Sequence, residues 1–365
     1  MMQTTLFPSR YVQGDGAVSR LGGELSRLGD RALLLADPFA RENLLDRIDL
    51  QGDHGVAFHV ETFGGECSDP EIRRLVDIAR ERESRVVVGF GGGKTLDAAK
   101  AVAHELEVPV AIVPTIASTD APCSALSVIY TPEGEMERYL ILPRNPDLVL
   151  VDTGIIAQAP VRFLVAGMGD ALATWFEADA CEQSWAPNLS GDRGSVTAFA
   201  LARLCYDTIL EYGSAAVVSC EEGVVTPALE RVVEANTLLS GLGFESGGLG
   251  AAHAIHNGLT VLEATHGAWH GEKVAIGVLA SLFLTDKDRD FMEEVYDFCE
   301  EVGLPTTLAE IGLEGVSEED LMRVAERACA EGETIHNEPM PVTPRAVLAA
   351  LRAADAEGRR RLSGL

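Results

Sequence analysis

The sequence is short of lysine and contains no long apolar run. Four of its 29 basic residues are lysines, whereas 57 residues are acidic, and the formal net charge is therefore −28. A charge of this size disfavours nucleic acid and anionic membrane surfaces as partners. No stretch of about eighteen apolar residues occurs, and the first residues lack the basic and apolar regions of a signal peptide. We therefore expect a cytoplasmic protein that binds neither nucleic acid nor membrane.

The seven cysteines show no CxxC spacing. Scattered cysteines that are odd in number are typical of free thiols in a reducing compartment, and they argue against a disulfide framework. A metal ion in this protein would therefore need nitrogen and oxygen ligands. The acidic, lysine-poor composition is typical of a salt-adapted source, and it fits a GC-rich genome equally well.

The pattern along the chain predicts two domains, since 365 residues exceed the size of one ordinary domain. Over residues 1–160, short β-branched runs alternate with helical stretches, which predicts an α/β domain with a parallel sheet. From 161 to 365 the strand signals stop, and helical periodicity predicts an all-helical domain. The predicted strands cover 31–36, 56–62, 85–89, 108–113 and 147–151, with an inserted hairpin of 125–131 and 137–142.

A glycine triplet follows the third of these strands. Gly91, Gly92 and Gly93 stand before a helical stretch that starts at Lys94 and Thr95. Backbone amides at a helix N-terminus favour an anion, so the order strand, glycines, helix predicts a phosphate-binding turn. The spacing fits neither the P-loop nor the GxGxxG pattern, and a purely structural turn is the alternative interpretation.

Histidines and one aspartate predict a metal site in the second domain. His253 and His256 share a helix face at a spacing of three, and His270 opens the next helical stretch. Asp170 stands near the start of an apolar helical segment, where capping of the helix is the alternative interpretation. An aspartate and two histidines leave positions on a zinc ion open for water or substrate. From spacing alone, a structural role of the histidines stays open.

Six segments resemble the glycerol dehydrogenases of the iron-containing alcohol dehydrogenase superfamily, and the similarity runs over essentially the whole chain. The most specific segment is PTIASTDAPCSALSVIY at 114–130. The others are GGGKTLD at 91–97, LPRNPD at 142–147, GMGD at 167–170, GAAHAIHNG at 250–258 and HGAWHGE at 266–272.

The resemblance implies the dehydroquinate synthase-like fold, with an α/β NAD-binding domain over 1–160 and an all-helical metal- and substrate-binding domain over 161–365. The active site would lie in the cleft between them, and the chain would form a homo-oligomer, often an octamer in this family. The implied activity is the reversible, zinc-dependent oxidation of glycerol, and of related 1,2-diols, to the ketone. Zinc would act as a Lewis acid on the hydroxyls and NAD would accept the hydride.

The resemblance also implies the site residues. One zinc ion per chain would be held by Asp170, His253 and His270. Iron-dependent relatives carry a further histidine at the position of Thr174, and its absence here favours zinc. Asp120 would hydrogen-bond a substrate hydroxyl, although aspartate also serves often in turns. The resemblance assigns no role to His256, which we expect to be a polar wall of the site and not a ligand, and a candidate proton relay. The implied cofactor contacts, with the glycine turn, are Asp37, Gly91, Gly92, Gly93, Lys94, Thr95, Thr115, Ser118, Ser124, Leu126 and Tyr130.

Two alternatives compete with this interpretation. A dehydroquinate synthase or a glycerol-1-phosphate dehydrogenase shares the fold, but it needs several basic residues for a phosphate or carboxylate. The quoted helical segments offer little more than Lys273, which directly follows the last of them. A non-catalytic NAD-binding relative is disfavoured because the implied metal and cofactor residues are all present.

Overall fold

The computed structural model describes residues 2–364. The chain forms two compact units. The first comprises 6–161 and 219–241, and the second comprises 2–5, 162–218 and 242–364. The predicted division at residue 160 differs from this at two places, because 219–241 pack with the first unit and the first residues with the second. Neither segment carries a hydrophobic pattern that indicates which unit it joins.

The first unit is built on a six-stranded sheet in which every neighbouring pair is parallel. The strands are β1 (Tyr11–Gly14), β2 (Arg31–Ala36), β3 (Ala57–Thr62), β4 (Val86–Gly91), β5 (Val110–Pro114) and β8 (Leu148–Asp152). Their order across the sheet is β1-β8-β5-β4-β2-β3. Apart from the half-buried Arg31, the central strands β2, β4 and β5 are buried apolar runs, as expected when helices cover both faces of a parallel sheet.

A separate antiparallel hairpin consists of β6 (Leu126–Tyr130) and β7 (Met136–Ile141). The five predicted sheet strands and this hairpin are confirmed to within a few residues. Strand β1 is an addition that the sequence analysis missed, because four residues at the sheet edge carry too little pattern. The helices of this unit are α1 (Leu21–Leu25), α2 (Pro38–Asn43), α3 (Asp69–Glu81), α4 (Gly93–Leu106), α5 (Thr153–Ala157) and α8 (Pro227–Glu234).

The second unit is helical, and no named strand lies in its described residues. Its long helices α6 and α11 are apolar around nearly their whole circumference, which is typical of helices buried on all sides. The predicted fold class, an α/β domain together with an all-helical domain, is confirmed. The helices are α6 (Val161–Ser184), α7 (Val196–Glu221), α9 (Ser240–Gly247), α10 (Ala251–Leu259), α11 (His270–Leu284), α12 (Arg289–Val302), α13 (Glu318–Ala328) and α14 (Pro344–Leu362).

Within residues 2–364, none of the helices combines the length and the apolarity that crossing a bilayer requires.

Candidate cofactor and metal sites

The sheet of the first unit has a topological switch point at β2 and β4. Strands β2 and β4 are neighbours, and the chain continues from β2 to β3 on one side of this pair and from β4 to β5 on the other. In open parallel sheets, ligands bind beyond the carboxyl ends of the strands at such a point. Asp37 follows the end of β2, and Gly91 ends β4. The structure therefore brings these two predicted cofactor residues to the same edge.

Asp37 lies directly against the glycine turn. Its Oδ1 accepts a hydrogen bond from the Ala40 amide at 2.7 Å and caps α2, and its Oδ2 accepts one from the Gly92 amide at 3.2 Å. A Cβ atom at Gly91 would collide with the Asp37 carboxylate. The close approach of the ends of β2 and β4 thus requires glycine at position 91. This constraint was not predicted from the sequence.

Helix α4 begins at Gly93, so the amides of its first turn point out of the helix beside the glycine turn. A Cβ atom placed on Gly93 would have no neighbouring atom within 4 Å. Lys94, a predicted cofactor contact, donates to Glu66 at 2.6 Å, and its ammonium lies 4.7 Å from the centre of the Tyr130 ring. Its charge is therefore already compensated within the unit.

A buried lysine holds the segment that follows β5. Lys100 donates to the carbonyl oxygens of Ala121 at 2.8 Å and Leu126 at 2.7 Å, and it pairs with Asp97 at 3.2 Å. The predicted contacts Ser124 and Leu126 lie in this segment. Lys100 was not predicted from the sequence, although a lysine amid the alanines of α4 is a detectable signal.

The other predicted cofactor residues lie around the same segment and turn. Thr115 donates its amide to Gly91 at 3.0 Å, Thr95 is buried in the first turn of α4, and Ser118 is half-buried.

Asp120 is buried, with 7% of its surface exposed. Its Oδ2 accepts a hydrogen bond from the Ser240 hydroxyl at 2.9 Å. The side chain makes no capping bond to the short helix that follows it, Ala121–Cys123. Asp120 is therefore a buried acceptor beside the segment that Lys100 holds, and a role in the turn remains the alternative interpretation.

In the second unit, Asp170, His253 and His270 form one cluster. One ligand atom from each of them lies within 4.8 Å of the other two. Asp170 Oδ1 is 3.3 Å from His253 Nε2 and 3.1 Å from His270 Nε2. Helix α6 begins at Val161, so Asp170 lies well inside the helix, and the interpretation of Asp170 as a helix cap is wrong. The position of Asp170 within this helix was misjudged because the apolar pattern continues without a break on both sides of the GMGD segment.

Glycines explain why the ligands are so close. A Cβ atom at Gly169 would collide with the carbonyl of Gly271, and one at Gly271 would collide with the carbonyl of Ala166. Helices α6 and α11 therefore touch backbone to backbone at the positions next to Asp170 and His270. Any larger residue at these glycines would push the two ligands apart.

Glu177 orients His253. It lies two turns after Asp170 on α6 and is almost fully buried. Its Oε2 is 2.6 Å from His253 Nδ1, whereas its Oε1 accepts the backbone amides of Gly250 at 2.9 Å and His253 at 2.8 Å. A carboxylate on Nδ1 fixes the ring and leaves Nε2 for a metal ion. Glu177 was not predicted from the sequence, although a lone acid in the mostly buried LATWFEA run is a signal.

The electrostatics of the cluster favour a cation. Burial acts to raise the pKa of Asp170, but the imidazoles of His270 and His253 hold it well below its usual range. Burial acts to lower the pKa of His253, and the carboxylates of Glu177 and Asp170 raise it well above its usual range. The buried carboxylate is thus ionised, and it attracts positive charge to the point where the two rings meet it.

His256 is not among the three ligands. Its Nε2 is 3.0 Å from His270 Nδ1, and its Nδ1 is 3.2 Å from Asn257 Oδ1. Burial, with the charges of His270 and His253, lowers the pKa of His256 well below its usual range. His256 therefore supports the ring of His270, and its role as a proton relay stays a prediction.

Comparison with known proteins identifies the family of the chain. Residues 8–153 match the family model of the iron-containing alcohol dehydrogenases. The chain is 69% identical over 361 residues to glycerol dehydrogenase of Thermotoga maritima, covering 99% of each sequence. It is 52% identical over 365 residues to glycerol dehydrogenase of Citrobacter freundii, covering 100% of both. The crystal structure of glycerol dehydrogenase from Schizosaccharomyces pombe superposes with a TM-score of 0.95 at 39% identity, covering 100% of this chain and 93% of that one.

The chain belongs to the iron-containing alcohol dehydrogenase family, and it is an oxidoreductase. The family resemblance predicted from the six segments is confirmed.

Proposed function

We propose that the chain catalyses the reversible oxidation of glycerol to dihydroxyacetone with zinc as its metal ion and NAD as hydride acceptor, and that it also accepts related 1,2-diols. The observation that carries this proposal is the cluster of Asp170, His253 and His270. The names of the relatives with 69% and 52% identity support glycerol as the substrate.

The donor set fits zinc. One carboxylate and two imidazoles are ligands that zinc prefers, and three protein ligands are typical of catalytic zinc sites, which keep a further position open. Thr174, one turn after Asp170 on α6, offers no imidazole as a further ligand. Zinc bound to the three residues would supply Lewis acidity, which polarises the substrate hydroxyls and lowers the pKa of the one that is oxidised.

The residues of the chain bind and orient the reactants in this proposal. Asp120 accepts a hydrogen bond from a substrate hydroxyl, since a carboxylate oxygen that already accepts from Ser240 has further acceptor capacity. Asp37 accepts hydrogen bonds from the adenosine ribose, as an acidic residue at this edge does in dinucleotide-binding folds. The exposed amides of the first turn of α4 bind the pyrophosphate.

The proposed oxidation removes two hydrogens from the substrate, and each has an acceptor. The substrate loses a hydride from the central carbon to NAD and a proton from the hydroxyl on that carbon. The proton passes to solvent, with His256 as the candidate relay because it contacts His270.

The test is an assay of NAD reduction with glycerol, 1,2-propanediol and 2-propanol, alongside metal analysis of the purified protein. We expect stoichiometric zinc, turnover of both diols ahead of 2-propanol, and loss of turnover in a strong chelator. His270→Ala should abolish turnover, whereas His266→Ala, which changes an exposed histidine nearby, should not. Full activity of a protein that holds no divalent metal would refute the proposal. Size-exclusion chromatography of the same sample tests the expected homo-oligomer.

A further inference from the structure

A line of hydrogen bonds leads away from His270 through three more residues. His270 Nδ1 is 3.0 Å from His256 Nε2, and His256 Nδ1 is 3.2 Å from Asn257 Oδ1. The Asn257 amide nitrogen then donates to Glu333 Oε2 at 3.0 Å. The other oxygen of Glu333 pairs with Arg327. All five residues belong to the helical unit.

The last residue of this line sets the direction of every bond in it. An ionised carboxylate only accepts hydrogen bonds, so Asn257 must turn its NH2 group to Glu333 and its oxygen to His256. His256 Nδ1 then carries the proton, which leaves a lone pair on Nε2. That lone pair accepts from His270 Nδ1, and His270 Nε2 is the nitrogen left to face Asp170.

His253, the neighbouring ligand, is fixed in the corresponding tautomer by a direct contact with a carboxylate. His253 Nδ1 meets the carboxylate of Glu177 directly at 2.6 Å. A metal-bound histidine generally donates its second nitrogen to such an acceptor, and this contact sets the tautomer and the orientation of the ring. His270 has no carboxylate on its Nδ1 among the contacts described, and instead it has the neutral pair His256 and Asn257.

We propose that Asn257, held in one orientation by Glu333, is a positioning residue that keeps His270 in the tautomer able to bind a metal ion. The inference rests on the metal site of the proposed function. It goes beyond that site because a carboxylate three hydrogen bonds away would determine which nitrogen of His270 is available to the metal ion.

Reversal of the line shows what Glu333 prevents. If the Asn257 amide turned over, its NH2 group would face His256 Nδ1, and His256 would carry its proton on Nε2. His270 Nδ1 would then have to accept, and the His270 proton would stand on Nε2, where the metal ion should bind. A glutamine at position 333 would turn its oxygen to Arg327, which only donates, and its NH2 group to Asn257, so it would favour this reversed orientation.

The test uses equilibrium competition for zinc against a chromophoric chelator, with the metal-free protein unfolded separately in urea. We expect Glu333→Gln to raise the zinc dissociation constant by about tenfold or more, the usual effect of losing an outer hydrogen-bond partner. The unfolding midpoint of the metal-free protein should stay close to that of the wild type. Glu331→Gln removes the same charge from an exposed site two residues away, and its zinc affinity should be unchanged.

A double variant tests whether the direction of these hydrogen bonds, and not only their presence, sets the zinc affinity. In Asn257→Asp with Glu333→Gln, the carboxylate moves to position 257, one hydrogen bond closer to His256, where it again only accepts, and the new amide group at position 333 donates to it. We expect this double variant to recover most of the lost zinc affinity, and the absorption spectrum of its cobalt-substituted form to match that of the wild type.

Wild-type affinity in Glu333→Gln, or no recovery in the double variant, would overturn the inference while leaving the proposed function intact. A wild-type protein that binds no zinc at all would overturn both. Equal weakening by Glu331→Gln would show that net charge, and not the hydrogen-bond line, sets the affinity.

Discussion

The buried carboxyl group of Glu338 makes the stability of the helical unit depend on pH. Burial raises the pKa of Glu338 to about 7 from an ordinary 4.5; a hydrogen bond from the Ala251 amide opposes this rise, and the charge of Glu177 adds to it. The folded chain therefore holds this proton more tightly than the unfolded chain does. The stabilisation is fully present below about pH 4.5, and it is lost as the pH rises to about 7.

The size of the effect follows from the pKa. A shift of about 2.5 pH units at 1.36 kcal/mol each corresponds to about 3 kcal/mol of unfolding free energy. Glu338→Gln keeps an oxygen for the Ala251 amide, now 3.0 Å from Oε1, and removes the titration. We therefore expect the variant and the wild type to be similarly stable at pH 4, and the variant to be more stable by about 3 kcal/mol at pH 8.

The assay is urea unfolding of both proteins from pH 4 to pH 8, with chelator present so that metal binding does not contribute. Tryptophan fluorescence reports on the right unit, because Trp175, Trp185 and Trp269 all lie in the helical unit. Glu331→Gln, an exposed change, is the control and should show no pH-dependent difference. A stability difference between Glu338→Gln and the wild type that stays constant from pH 4 to pH 8 would refute the reasoning.

Three further predictions concern the sites. Glu177→Gln keeps both backbone bonds with its one oxygen and turns its NH2 group toward His253 Nδ1, so zinc affinity should fall about 10- to 100-fold; exposed Glu182→Gln on the same helix should leave it unchanged in the same competition assay. Asp37→Ser keeps a cap for α2 but removes a negative charge whose repulsion of a nearby phosphate is worth about 1–4 kcal/mol. The preference for NAD over NADP, measured as the ratio of the kcat/KM values, should therefore shrink about tenfold or more. An unchanged ratio would exclude a role of Asp37 in selecting NAD. Asp120→Asn should raise KM for glycerol more than KM for NAD, and should narrow the advantage of glycerol over 2-propanol, because a site built around a buried acceptor discriminates against substrates that cannot donate to it. Unchanged kinetics with both alcohols would leave Asp120 a structural residue.

Much of the fold was predictable because the relevant signals are local. The buried runs at β2, β4 and β5 are continuous and apolar, and they were placed to within a few residues. Strand β1 was missed because it is short and lies at the edge of the sheet. The residues 219–241 were assigned to the helical domain because they are helical, whereas the unit to which a helix belongs depends on contacts that its own pattern does not contain.

The sequence by itself determined the types of residue available for chemistry and the periodicity that places them. Asp170, His253 and His270 supply oxygen and nitrogen ligands, and the glycine triplet stands between a strand and a helix. These features are local and covalent in origin, since neighbours in the chain remain neighbours in any fold. They were sufficient, with the family resemblance, to predict the class of reaction.

Only the tertiary structure decided how those groups are held. The contact of Gly169 with Gly271 brings two helices to backbone distance, and it joins positions that are about a hundred residues apart in the chain. Glu177 and Glu333 likewise meet their histidines across long separations, at 2.6 Å directly and through Asn257. A hydrogen bond acts over about 3 Å, so the nitrogen of an imidazole that carries the proton depends on which chain segments pack against the ring. The residue pattern within one segment does not contain this information.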